Sequence, residues 1–111
     1  MKLTGKSLKD FEKWYLDPIQ KKTYKTISNL GGDKAIMLNW FSLSDSHRYG
    51  VLVDWFDSVG IYIEICKNSR EVIGWYFYIN DDQSVGDEWI TTRPQAREKA
   101  IEKANLLYNN R

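Results

Sequence analysis

The feature that most constrains this chain is a strict two-residue alternation near its middle. From Ile61 to Cys66, the aliphatic Ile61, Ile63 and Ile65 interleave with Tyr62, Glu64 and Cys66. From Val72 to Ile79, Ile73, Trp75, Phe77 and Ile79 interleave with Val72, Gly74, Tyr76 and Tyr78. Successive side chains of a strand point to opposite faces, so a period of two predicts two half-buried strands. Residues 67–70 supply the turn between them. Upstream, Tyr49–Phe56 is rich in β-branched and aromatic residues and reaches Ile61 through Asp57–Gly60, a length suited to a hairpin loop. Together these segments predict a three-stranded antiparallel β-meander.

Helical patterning flanks the meander. Leu8, Phe11, Trp14 and Tyr15 recur at helical spacing, with Lys6, Lys9, Lys13 and Asp10 left for the wet side. Ser7 with Asp10 approximates a capping box, Thr4 is a rival cap, and Pro18 ends the helix near Leu16. At the other end Thr92 and Gln95 form a capping box with Pro94 in the first turn. Ala96, Ala100, Ile101, Ala104, Leu107 and Tyr108 make the apolar stripe of that helix. Between the first helix and the strands, Gly31-Gly32 is a break. Asp33 then caps a short helix with Ile36, Met37, Trp40 and Phe41 as its stripe, unless those residues are a buried strand. Residues 42–47 have the composition of a loop, and residues 80–88 form a polar, acidic one. The expected fold class is α+β: an N-terminal helix, the three-stranded antiparallel β-meander and a C-terminal helix packed on one face of the sheet. A single domain spans residues 1–111.

Charge and composition narrow the functions. The formal charge is +1, a poor basis for a protein that neutralises phosphates along a duplex. That near-neutrality hides a basic start (+4 over residues 1–30), an acidic middle (−6 over residues 31–90) and a basic end (+3 over residues 91–111). One cysteine, Cys66, precludes an internal disulfide framework or a Cys-based zinc cage. No apolar run approaches the roughly 20 residues of a membrane span, and no apolar stretch follows the first lysines, so a cytoplasmic location is expected.

Sixteen Phe, Trp and Tyr residues exceed what the core face of such a sheet needs. With Ile61, Ile63, Ile65, Trp75 and Phe77 inward, Tyr62, Tyr76 and Tyr78 stand on the opposite face, joined by Trp55 (with Tyr49) or by Phe56 according to the register of the first strand. An aromatic face that no helix covers is a candidate partner-binding surface. The acidic loop, through Asp81, Asp82, Asp87 and Glu88, is a second candidate, able to imitate nucleic-acid phosphates. Trp40 and Phe41 folding over the tyrosines is the structural alternative. Chemistry is sparse. His47, the one histidine, falls in a loop; Asp54 and Asp57 flank Trp55-Phe56 as strand-end residues; and the 81–88 loop departs from a calcium loop at Gln83 and Val85. No catalytic residues, metal site or cofactor are expected.

Three stretches resemble small accessory proteins encoded by tailed phages and prophages: Leu3–Tyr15, Tyr49–Ile61 and Thr92–Asn109. The resemblance implies a setting in which small non-enzymatic proteins bind host machinery, inhibitors of CRISPR and other defence systems among them. It transfers no site residue. The α–β–β–β–α order also resembles double-stranded-RNA-binding domains, with Arg93, Arg97 and Lys99 at the start of the last helix but without that family's basic cluster. The expected function is therefore a non-enzymatic phage-type protein that binds a host protein or protein–nucleic-acid complex. The alternatives are a weak nucleic-acid binder using Lys6, Lys9, Lys13, Arg93 and Arg97, or a homo-oligomeric structural protein.

Overall fold

The computed structural model describes residues 2–17, 37–67, 74–83 and 90–111. In chain order these form helix α1 (Gly5–Tyr15), a helical segment at residues 37–42, and helix α2 (Asp45–Ser58). Strands β1 (Ile63–Lys67), β2 (Trp75–Ile79) and β3 (Asp82–Gln83) follow, then helix α3 (Arg93–Asn109). The architecture is α+β, with helices packed against an antiparallel sheet.

The sheet is in substance the β1–β2 pair, with Ile63 opposite Ile79, Ile65 opposite Phe77 and Lys67 opposite Trp75. These odd residues face the helices, and Phe77 and Ile79 are buried there. The two-residue β3 lies along the far edge of β2. Asn80 and Asp81 link them with φ of 53° and 70°. Positive φ at both central positions is the geometry of a type I′ hairpin turn, which Asn and Asp tolerate better than most residues. The acidic stretch expected as a loop from Asn80 thus begins as a tight hairpin; residues 84–89 lie outside the described residues, as do Val72 and Ile73.

The meander expected to start at Tyr49 does not form from those segments. Tyr49–Phe56, read as its first strand, lies inside α2, and Asp54 and Asp57 lie on that helix instead of ending a strand. Ser44 accepts a hydrogen bond from the His47 amide at 3.2 Å, and Asp45 favours the positive end of the helix dipole. His47 therefore sits in a helical first turn, not a loop. Leu52, Trp55 and Phe56 recur at i, i+3 and i+4 and are all buried. The α–β–β–β–α order is kept only in different segments, with α2 as its first helix and the two-residue β3 as its last strand.

The buried aromatics join the helices. Phe11 of α1 lies 5.0 Å from Trp40 and 5.6 Å, edge-on, from Trp55, and Trp55 lies 5.1 Å from Tyr108 of α3. Ala96, Ala100 and Ala104 are wholly buried, so α3 can approach the strands and the other helices closely. The expected apolar stripes need three corrections. Leu107 is exposed and Asn105 buried; Leu8 is exposed and Ser7 buried inside α1; Trp40 is buried but Phe41 is 66% exposed. Asp33 and Ile36 lie outside the described residues.

At the start of α1, Thr4 occupies the N-cap position but its side chain makes no capping bond. Helix α3 supplies the partners. The Thr4 amide donates to Asn105 Oδ1 at 3.0 Å and the Ser7 amide to Asn109 Oδ1 at 2.7 Å. In return Asn105 Nδ2 donates to Thr4 Oγ1 at 3.0 Å and Asn109 Nδ2 to the Thr4 carbonyl at 2.9 Å. The Tyr108 hydroxyl donates to the Asp10 carboxylate along the same seam.

Candidate functional site

Two surfaces carry the side chains with functional potential. The first is the face of the sheet turned away from the helices. Register places Tyr78 opposite Glu64 and Tyr76 opposite Cys66 on that face. The Tyr76 and Tyr78 rings meet edge-on, 5.6 Å apart at 78°, an arrangement the aromatic quadrupole favours. Tyr62 continues the face one step before β1. Its amide donates to Asn80 Oδ1 at 2.8 Å, its carbonyl accepts from the Asn80 amide at 2.9 Å, and it is 60% exposed. Tyr76 and Tyr78 are half-buried. The Tyr76 phenol is raised above the ordinary tyrosine value, chiefly by partial burial and then by the neighbouring Cys66, Tyr78 and Glu64.

Period-two alternation thus brings Tyr62, Tyr76 and Tyr78 together. It does not bring Trp55, which as a helical residue is 1% exposed and belongs to the core between α1 and α3. Nor does Trp40 fold over the tyrosines, since its ring packs on Phe11 and Tyr15. Asp81 and Asp82, both exposed, sit at the β2–β3 turn beside Asn80, the residue that holds Tyr62. Asp87 and Glu88 lie outside the described residues. Cys66 is half-buried on this same face, while His47 is exposed at the start of α2. Among the described residues no group of three or more His, Cys, Asp or Glu side chains is placed to hold a metal ion. No described helix is long and apolar enough to cross a membrane.

The second surface is a groove of about 490 Å³ between α2, β1 and the start of α3. Val53, Ile63 and Ile65 supply apolar lining, and Asp54 contributes an acidic group. At the α3 side the Arg93 guanidinium lies 4.7 Å above the Trp75 ring, and that of Arg97 lies 5.1 Å above Tyr49. Arg97 Nη1 also donates to Ser46 Oγ at 3.1 Å. Burial holds the Tyr49 phenol above its ordinary value, the Arg97 charge opposing that rise and Asp57 adding to it. The sequence showed the arginines but not their aromatic partners, because Tyr49 faces Arg97 only when residues 45–58 are helical. Comparison with protein-family models, with curated proteins and with solved structures finds no match for the chain.

Proposed function

We propose that this chain is a non-enzymatic accessory protein of phage type that occupies a surface of a host protein or protein–nucleic-acid complex, in the manner of inhibitors of host defence systems. Its tyrosine face is the docking surface. One observation carries the reading: Tyr62, Tyr76 and Tyr78 share the sheet face on which no described helix packs. Phenol rings offer large contact area with few rotatable bonds, and such residues dominate interface centres. Asp81 and Asp82 at its edge add negative charge that steers a basic partner and stands in for phosphate. Among the described residues Glu64 stands opposite Tyr78 and Asp81 beside Asn80, acidic groups that disfavour direct stacking of nucleic-acid bases there.

The test is capture from a bacterial host lysate on the immobilised chain, run beside the Tyr62→Ser/Tyr78→Ser variant. A partner retained by the parent and lost by the folded variant supports the reading; equal retention by both refutes it. With the partner in hand, Asp81→Asn/Asp82→Asn should slow association most at low salt and leave dissociation nearly unchanged.

A further inference from the structure

The groove beside β1 has a polarity that identifies what fits it. Among the described residues β1 is an edge of the sheet, paired only with β2. The Asn80 amide donates to the Tyr62 carbonyl, which sets the phase of the ladder. Residues 62, 64 and 66 therefore direct their backbone groups to β2, and Ile63 and Ile65 direct theirs to the open edge. The Trp75 amide, opposite Lys67, donates to the Ile90 carbonyl and so confirms the phase. Ile63 and Ile65 also line the groove. Its floor thus contains outward-pointing amides and carbonyls, the template on which an extended chain adds as a further strand.

The opposite wall is α2, which passes through Val59 and Gly60 almost directly into β1 and so runs back along it. Asp54 then sits near the Ile63 end of the groove and Tyr49 near the other. The two are five residues apart on the helix, about 7.5 Å along its axis. Alternate residues of an extended segment repeat every 6.6 Å or so, so successive same-side side chains reach the two ends. The Tyr49 end is basic: the guanidinium groups of Arg93 and Arg97 lie over Trp75 and Tyr49 and line the groove, and Arg97 keeps donors beyond the Nη1 bond to Ser46.

We infer that this groove docks an extended, strand-forming segment of a protein partner. The segment hydrogen-bonds to the backbone of Ile63 and Ile65, places a carboxylate under Arg93 and Arg97, and sets a basic or uncharged residue beside Asp54. The charged side chains of the segment face the helix side of β1, away from the tyrosine rings, so the Tyr62→Ser/Tyr78→Ser variant separates the two readings.

The test uses the full ¹⁵N-labelled chain and a blocked hexapeptide of alternating valine and threonine, with a lysine in place of its second residue and an aspartate in place of its fourth, two same-side positions about 6.6 Å apart. Both sequence directions are tried. The expected result is saturable shifts at the Ile63 and Ile65 amides with a dissociation constant below about 1 mM. Affinity should fall at least about tenfold when alternate peptide amides are N-methylated, and likewise in Arg93→Glu/Arg97→Glu, with the Tyr62→Ser/Tyr78→Ser variant binding normally. Spectral dispersion confirms that each variant is folded. Absence of saturable shifts overturns the inference. So does undiminished binding of the N-methylated peptide, or shifts of the same amides with protein concentration alone, which would give the edge to a second copy.

Discussion

Removing the two asparagines of α3 tests how α1 is held. The first amides of any helix lack partners within it, and here the N-cap side chain supplies none. Asn109→Ala removes the 2.7 Å acceptor of the Ser7 amide and the 2.9 Å donor to the Thr4 carbonyl. That resembles deletion of an N-cap at a half-exposed site, a loss of about 1–2 kcal/mol. Asn105→Ala removes two bonds of 3.0 Å from a side chain only 5% exposed, and leaves space beside wholly buried Ala104 and Ile101. Its cost is about 2–3 kcal/mol, or roughly 8–20 °C in Tm for a domain of this size. Urea unfolding should show a lower midpoint at unchanged slope. Asn109→Asp keeps the acceptor for the Ser7 amide but sets a second acceptor against the Thr4 carbonyl and a negative charge on the last turn of α3, so it should not regain the stability of the parent. A cost below about 0.5 kcal/mol for Asn105→Ala or for Asn109→Ala refutes the account.

Three further outcomes follow from particular residues. Gly50 lies inside α2, with nothing beyond its own helix backbone and chain neighbours within 4 Å of the position its Cβ would take, so Gly50→Ala should stabilise the fold by about 0.5–1 kcal/mol in thermal unfolding. Ser7 is wholly buried and its hydroxyl has no hydrogen-bond partner among the described residues; Ser7→Ala should therefore be neutral or stabilising by up to about 1 kcal/mol in the same urea assay. The Tyr108 phenol is raised by its hydrogen bond to Asp10, then by burial and the Asp10 charge, with Arg111 opposing. A raised value in the folded state means stability that is intact below the unfolded value of about 10 and lost as pH climbs through the folded one, so Tyr108→Phe should flatten the alkaline decline of Tm above pH 10 or so.

Local pattern determined those elements whose burial follows from the backbone period alone. Ile63, Ile65, Trp75, Phe77 and Ile79 share one face because strand side chains alternate, and Tyr62, Tyr76 and Tyr78 share the other for the same reason. Helix α3 was legible from Thr92, Pro94 and Gln95 at its start and three alanines along its stripe. The cap forms as written, with the Gln95 amide donating to Thr92 Oγ1 at 3.3 Å, although the Gln95 side chain reaches Thr91. Residues 49–56 were legible in composition but not in conformation. Valine, tryptophan, tyrosine and phenylalanine favour strands, yet Leu52, Trp55, Phe56 and Val59 also fit a helical stripe, and short-range preference cannot choose between two periods.

The choice belongs to tertiary packing. As a helix this segment sets Trp55 between Phe11 and Tyr108, burying rings from three elements distant in sequence, and the apolar area gained there exceeds any strand propensity forgone. The same decision removed Trp55 from the tyrosine face and brought Tyr49 beneath Arg97. The Asn105 and Asn109 contacts, which span more than 100 residues, likewise exist only once α1 and α3 are side by side.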